Sequence, residues 1–140
     1  MDEAPTYQLY IYLRRRVRIE PGRLGACVLP AGWYVYTGSA RRNLAARVRR
    51  HLRRDKPRRW HIDWLLTRPE ARVLHVRLRR AAECRVNAVV CGSIPVAGFG
   101  ASDCRAGCGS HLVYLGRARP AAVPAITAQR QTDPGAIAPE

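Results

Sequence analysis

The feature that most limits the fold is a strict alternation near the start of the chain. A period of two is formed by the apolar side chains of Tyr7, Leu9, Ile11 and Leu13. Successive side chains of a strand point to opposite faces, so this period predicts a β-strand with an apolar face and a tyrosine-bearing face. GWYVYTG predicts a second strand from 33 to 37 that stops at Gly38. Between them, prolines and glycines in 14–31 predict a strand extension and a turn-rich connector.

Further strand and helix patterns follow along the chain. Residues 44–54 and the WHIDWLL segment (60–66) predict helices, and RVLHVRL (72–78) predicts a third strand. AECRVNAVVCG (82–92) predicts a third helix, and HLVYL (111–115) predicts a closing strand. The chain is therefore expected to combine both kinds of element.

Length and composition divide the chain into a domain and a tail. A chain of 140 residues with 47% hydrophobic residues can bury one core of ordinary size. After Gly116 the sequence has four prolines, no aromatic residue and no periodicity. We therefore expect residues 1–116 to form the domain and residues 117–140 to form a mobile, disordered tail.

The charge of the chain indicates a polyanionic partner. Twenty-five Lys and Arg residues against 10 Asp and Glu residues give a net charge of +15. Arginine predominates, and its planar guanidinium binds phosphate with two hydrogen bonds, although a genome-wide arginine bias would give the same composition. Nucleic acid, DNA in the first place, is therefore the expected partner. The candidate nucleic-acid-binding residues are Arg41, Arg42, Arg49, Arg50, Arg53, Arg54, Lys56, Arg58 and Arg59.

The cysteine count, the N-terminal residues and the hydropathy together predict the cellular compartment of the protein. The five cysteines are an odd number, and the first residues are acidic where a secretory signal is basic. The apolar runs are shorter than the roughly 20 residues that a membrane span needs. We therefore expect a cytoplasmic protein without a membrane partner, whose cysteines are free thiols or metal ligands.

Two residues of the predicted helix 44–54 combine a polar side chain with an inward position. At about 100° per residue, Leu44, Val48 and Leu52 share a stripe, and Arg47 and His51 lie at its edge. A charged arginine aimed at the protein body needs a polar or ionic partner. A structural ion pair and a bound phosphate are both open interpretations.

Two short motifs resemble the signature of the GIY-YIG nuclease superfamily. Tyr7 in PTYQL matches the first half, and Tyr36-Thr37-Gly38 followed by Arg47 and His51 matches the second. With WHIDWLL, AEC, GFGASDC and SHLVYL, the stretch 7–115 resembles a small, poorly characterised branch of that superfamily. Members of this branch occur alone or attached to endonuclease III-type repair glycosylases.

The resemblance implies an α+β fold, with a small antiparallel β-sheet flanked by helices, and a DNA endonuclease that uses one divalent metal, Mg²⁺ or Mn²⁺. Glu83 would hold the metal, Arg47 would steady the phosphate, and Tyr7, Tyr36 and His51 would surround the attacking water. A metal and a fixed guanidinium stabilise the charge of a phosphodiester transition state. The pKa of a phenol is about 10, so a tyrosine that acts as a base near neutral pH needs positive charge nearby to lower its pKa.

Structural roles are open for several of these residues. Tyrosines suit a half-buried strand, and Glu83 at a helix start would complement the helix dipole. His61 and Asp63 are either a hydrogen-bonded pair or residues of the active cleft. Asp103 and Ser110 are further cleft candidates.

A zinc site is an alternative for the segment before the last strand. Cys104, Cys108 and His111 have the spacing of metal ligands but lack a clear fourth partner, and Asp103 is adjacent. Zn²⁺ is therefore less favoured than buried free thiols. Besides the endonuclease, two hypotheses follow: a nucleic-acid-binding module of the same fold without chemistry, and a zinc-stabilised interaction module.

Overall fold

The computed structural model describes residues 6–40, 42–79, 86–87, 90, 92–100 and 110–124. The elements are β1 (Thr6–Leu13), β2 (Val17–Ile19), a 3₁₀ turn (Gly22–Leu24), β3 (Cys27–Leu29), β4 (Gly32–Ser39), α1 (Leu44–Leu52), α2 (His61–Leu66), β5 (Ala71–Arg79) and β6 (Leu112–Gly116). The expected α+β class is confirmed. Neither α1 nor α2 has the length and apolar character of a membrane crossing, nor does any other helix of the described ranges.

The main sheet has four antiparallel strands in the order β5-β1-β4-β6. β1 pairs with β4 along its whole length, from Thr6 opposite Ser39 to Leu13 opposite Gly32. The expected strands at 7–13, 33–37, 72–78 and 111–115 are confirmed to within a few residues. The sheet therefore has β1 and β4 at its centre, which is where the candidate tyrosines lie.

The segment 14–31 differs from the expected connector. It contains a second, two-stranded sheet of β2 and β3, each three residues long. Strands this short are below the length at which alternation is visible in a sequence. Their inward side chains join the core that β1 forms with the helices.

The helix α1 ends at Leu52, two residues before the predicted end, and Arg53 is extended. Lys56 explains this end, because its Nζ donates to the carbonyls of Arg50 and His51 at 3.0 and 2.8 Å. The last carbonyls of a helix lack partners within the helix, so the lysine satisfies them. The 53–60 segment is thereby held against the end of α1.

Both faces of the main sheet are packed. Leu9 and Ile11 lie against Ile62 of α2 on one face, whereas Tyr10 and Trp33 contribute to a separate cluster on the other face. The face with the helices holds the candidate site, and we call the opposite one the back face.

Part of the segment that the sequence assigns to the tail is described by the structure. Val123 is 2% exposed and packs in the back-face cluster, and Arg119 donates to its carbonyl at 2.9 Å. Val123, seven residues after Gly116, therefore contacts the back face of the sheet. Residues 125–140 lie outside the described residues. Of the predicted third helix, 86–87 are helical, and most of the others also lie outside.

Candidate active site

The central strands bring Tyr7 and Tyr36 to the same face of the sheet. Tyr7 lies opposite Gly38 and Tyr36 opposite Leu9, so the two tyrosines are diagonal neighbours across β1 and β4. A Cβ atom at Gly38 would lie 2.5 Å from the Tyr7 hydroxyl. The glycine of the YTG motif therefore makes the space that the Tyr7 ring occupies.

Helix α1 places His51 against both tyrosines. The His51 Nε2 atom lies 2.7 Å from the Tyr7 hydroxyl in a buried hydrogen bond. The His51 ring centroid is 5.3 Å from that of Tyr7 and 6.0 Å from that of Tyr36. Tyr7 and His51 are each 1% exposed. Three of the four predicted catalytic residues therefore form one buried cluster.

Burial determines the charge of His51. Burial, reinforced by Lys56, lowers the pKa of His51 to about 3, and the arginines at 47 and 50 act in the same direction against the opposing effect of Asp63. The imidazole is therefore neutral at pH 7 and carries one proton, whose ring position depends on the tautomer. Within the described part of the chain, Nδ1 has no hydrogen-bond partner.

The depressed pKa of His51 predicts how stability depends on pH. Below its ordinary pKa of about 6.5, the unfolded chain binds a proton that the folded chain does not bind until about pH 3. The contribution of His51 is therefore complete above pH 6.5 and is lost as the pH falls, by up to about 1.4 kcal/mol per pH unit. Urea unfolding at pH 7 and 5 should show a smaller loss in His51→Gln than in the wild type. Equal losses would contradict the assignment.

Arg47 is held at the edge of this cluster by neutral groups. It donates to the Ser39 carbonyl at 3.1 Å, and its guanidinium lies 4.8 Å from the centre of the Trp60 ring. Trp60 in turn lies 5.8 Å from the His51 ring. No carboxylate of the described residues forms a salt bridge with Arg47. Within these residues, the structural ion pair that sequence reasoning left open is absent.

Asp63 has a structural role. Its carboxylate is fully buried, accepts both terminal nitrogens of Arg50 at 3.1 Å, and accepts the backbone N–H groups of Arg59 and Trp60 at 2.7 and 2.9 Å. Burial alone would raise the pKa of Asp63, but these hydrogen bonds hold it below its ordinary value. Asp63 therefore fixes the loop that carries Trp60 and is not available as a base.

His61 lies beside Tyr36 through the loop at 96–100. Its Nδ1 atom accepts the N–H of Gly100 at 2.9 Å, so it is not hydrogen-bonded to Asp63 in the way that the structural interpretation of the sequence proposed. A Cβ atom at Gly100 would lie 2.9 Å from the Tyr36 ring. Gly100 therefore lies close to the Tyr36 ring, and its hydrogen bond to His61 places this partly exposed histidine at the border of the cluster.

Ser110 and His111 connect the same loop to the sheet. The Ser110 hydroxyl donates to the Leu112 carbonyl at 2.8 Å and accepts the Leu112 N–H, and the His111 N–H donates to the Phe99 carbonyl. Ser110 is thus part of a turn. Asp103, Cys104 and Cys108 lie outside the described residues. No group of three metal-ligating side chains occurs within the ranges that the structure describes.

The basic segment divides into exposed and structural residues. Arg42, Arg49, Arg53, Arg58 and Arg59 are exposed. Arg50 and Lys56 have partners within the protein, because the first is paired with Asp63 and the second is buried at the end of α1. Arg54 is exposed, but it donates to the carbonyls of Arg68 and Ala71. Arg41 lies outside the described residues.

The polar groups of the cluster are two phenol oxygens, an imidazole and a guanidinium. Mg²⁺ prefers carboxylate oxygens, and Asp63, the described carboxylate that interacts with His51, is already occupied. The described residues alone therefore do not provide a magnesium site. Glu83, the metal ligand implied by the sequence, lies outside them.

Comparison with known proteins gives one match. A family model described as "Domain of unknown function DUF123" matches residues 6–132. No curated protein and no solved structure matches the chain.

Proposed function

The chain belongs to the DUF123 family, a domain of unknown function, and we propose from its own geometry that it is a metal-dependent endonuclease of the GIY-YIG type. Its substrate is DNA, and the reaction is hydrolysis of a phosphodiester bond. The observation that carries the proposal is the buried hydrogen bond between Tyr7 and His51, with Tyr36 beside it and Arg47 at its edge.

Arg47 is the phosphate-binding residue in this proposal. Its guanidinium is oriented by a backbone carbonyl and an indole ring, and neither neutralises its charge. A phosphodiester can therefore bind it without displacing any carboxylate of the described residues. A guanidinium held in place before the reaction also stabilises the charge that develops on the phosphate oxygens.

Tyr7 is the candidate base, and His51 positions it. Within the described residues no group accepts a hydrogen bond from Nδ1, so we assign the ring proton to Nε2, which donates to the Tyr7 oxygen. That hydrogen bond stabilises the phenolate, which accepts a proton from water as the water oxygen attacks phosphorus and the bond from phosphorus to the leaving oxygen breaks. A divalent metal held by Glu83 would supply further stabilisation of charge on the phosphate.

The exposed arginines provide affinity without base recognition. Arg49 on α1 and Arg53 immediately after its end are exposed, whereas His51 is buried. Contacts of this kind with phosphates position a duplex and make binding depend on salt, but they carry no sequence information.

A matched pair of variants on α1 tests the division between chemistry and binding. The substrates are a panel of duplex, nicked, branched and single-stranded DNAs with Mg²⁺ or Mn²⁺. Arg47→Ala should lower the single-turnover rate by about 10²–10³-fold with little change in Kd, by the scale of single electrostatic stabilisers. Arg49→Ala should weaken binding and leave the saturated rate unchanged.

Two outcomes would contradict the proposal. If the wild type bound DNA and cleaved nothing on the panel, the chain would be a binding module of the same fold. If Arg47→Ala lost only affinity, Arg47 would be an ordinary phosphate contact. Glu83→Gln tests the metal ligand separately, because the amide keeps the shape and loses the anionic oxygen.

A further inference from the structure

A second group of exposed arginines lies at the opposite end of β1 from Tyr7. Arg14, Arg15 and Arg16 are exposed and form the connection from β1 to β2. The segment 14–23 contains five arginines and one carboxylate, Glu20. Glu20 pairs with Arg18 at 3.0 Å, and no salt bridge within the described residues involves the three arginines at 14–16. We call these three residues the basic turn.

The length of β1 sets the distance between the basic turn and the candidate active site. Tyr7 and Arg14 are separated by seven residues along an extended strand. At about 3.3 Å per residue, this separation is about 23 Å. Phosphates along one strand of B-DNA are about 3.4 Å apart in axial rise, so the two places are about seven base pairs apart.

A chain of contacts connects the basic turn to the exposed side of α1. Arg54, which follows the end of α1, donates to the Ala71 carbonyl at 3.1 Å. The Arg14 N–H donates to the Glu70 carbonyl, also at 3.1 Å. The end of α1, the turn before β5 and the basic turn are therefore neighbours. Exposed arginines occur at both ends of these contacts, at Arg53 and Arg54 and at Arg14 to Arg16.

We propose that the basic turn is a second phosphate-binding contact for the same duplex whose scissile phosphate lies at Arg47. This inference rests on the proposed function and deepens it, because it requires a duplex arm of at least about seven base pairs on one side of the cleavage site. An acidic protein segment would also match the charge, but an evenly charged and stiff polyanion can span the about 23 Å between the candidate active site and the basic turn.

The test compares a variant of the basic turn with a charge-matched control on the back face. Arg15→Gln combined with Arg16→Gln removes two charges from the turn. Arg72→Gln combined with Arg79→Gln removes two charges from residues that lie opposite Tyr12 and Thr6, on the face away from Tyr7. Fluorescence anisotropy would give the Kd of each protein between about 50 and 200 mM salt, for a hairpin with a stem of about 5 base pairs and a duplex of about 16 base pairs.

The wild type should show a steeper dependence of log Kd on log salt with the long duplex than with the short stem. Two additional phosphate contacts correspond to a difference in slope of about 1.8. The difference should disappear in the basic-turn variant and remain in the back-face control. Equal slopes for both lengths in the wild type, or an unchanged difference in the variant, would overturn the inference and leave the proposed function standing. A wild type that binds neither DNA would instead overturn the proposed function.

Discussion

Replacing Tyr7 by Phe should lower the rate of DNA cleavage by about 10²–10⁴-fold, the range that a general base contributes. The ring stays in the space that Gly38 provides, so the change removes one oxygen atom from the cluster. That oxygen holds the hydrogen bond to the Nε2 atom of His51. Because the exposed arginines are untouched, the Kd for DNA should stay the same, and single-turnover kinetics with excess protein would measure both quantities.

Tyr34→Phe is the matched control for this change. Tyr34 is fully buried on the same face of the sheet, opposite Ile11, and its hydroxyl donates to the Pro30 carbonyl at the far end of the strand from Gly38. The Tyr34→Phe variant therefore loses a hydrogen bond of a buried tyrosine but leaves the Tyr7–His51 cluster unchanged. Its cleavage rate should match that of the wild type. Full activity in Tyr7→Phe together with loss in Tyr36→Phe would transfer the base to Tyr36. Full activity in both variants would contradict a tyrosine base.

Asp63→Ala should cost about 3–5 kcal/mol of the free energy of unfolding, the range for breaking a buried ion pair from one side. The carboxylate is fully buried and receives two hydrogen bonds from Arg50 and two from the backbone of Arg59 and Trp60. Its removal leaves the charge of Arg50 without its carboxylate partner and frees the loop that places Trp60 against His51. Urea unfolding at pH 7 would measure the loss.

Glu70→Ala is the control for Asp63. Glu70 also forms a bidentate pair with an arginine, Arg68, at 3.2 Å, but this pair is partly exposed, with Arg68 41% and Glu70 17% exposed. Water and salt screen a partly exposed pair more than a fully buried one, so this variant should lose much less stability than Asp63→Ala. Similar stability of Asp63→Ala and Glu70→Ala would show that the buried pair does not hold the loop.

Periodicity predicted the sheet and the inward face of α1, whereas the resemblance to the GIY-YIG signature predicted Tyr7, Tyr36 and His51 as one site. The alternation at 7–13 has period two over a whole strand, and the position of His51 follows from the turn of a helix that begins near residue 44. Both patterns are periodic and local. The pairing of β1 with β4 brings Tyr7 and Tyr36 together because the strands are long enough to fix one register.

The roles of individual basic residues could not be predicted in the same way. Arg49 and Arg50 are adjacent on one helix, yet Arg50 reaches a carboxylate thirteen residues away, and Arg49 remains exposed. Lys56 is buried against the end of α1, where it donates to the carbonyls of Arg50 and His51, and this tertiary contact leaves no periodic signal in the sequence. The position of Trp60 between Arg47 and His51 likewise depends on tertiary contacts, which no local pattern of the sequence predicts.

The central claim is that Tyr7, Tyr36, Arg47 and His51 form a site that hydrolyses phosphodiesters. The most direct measurement is single-turnover cleavage of end-labelled DNA by the wild type, Tyr7→Phe and Tyr34→Phe, with Mg²⁺ or Mn²⁺ and with the protein in excess. We predict first-order cleavage by the wild type and Tyr34→Phe, and binding with little or no cleavage by Tyr7→Phe. Binding without cleavage by the wild type, with every divalent cation and every DNA of the panel, would contradict the claim.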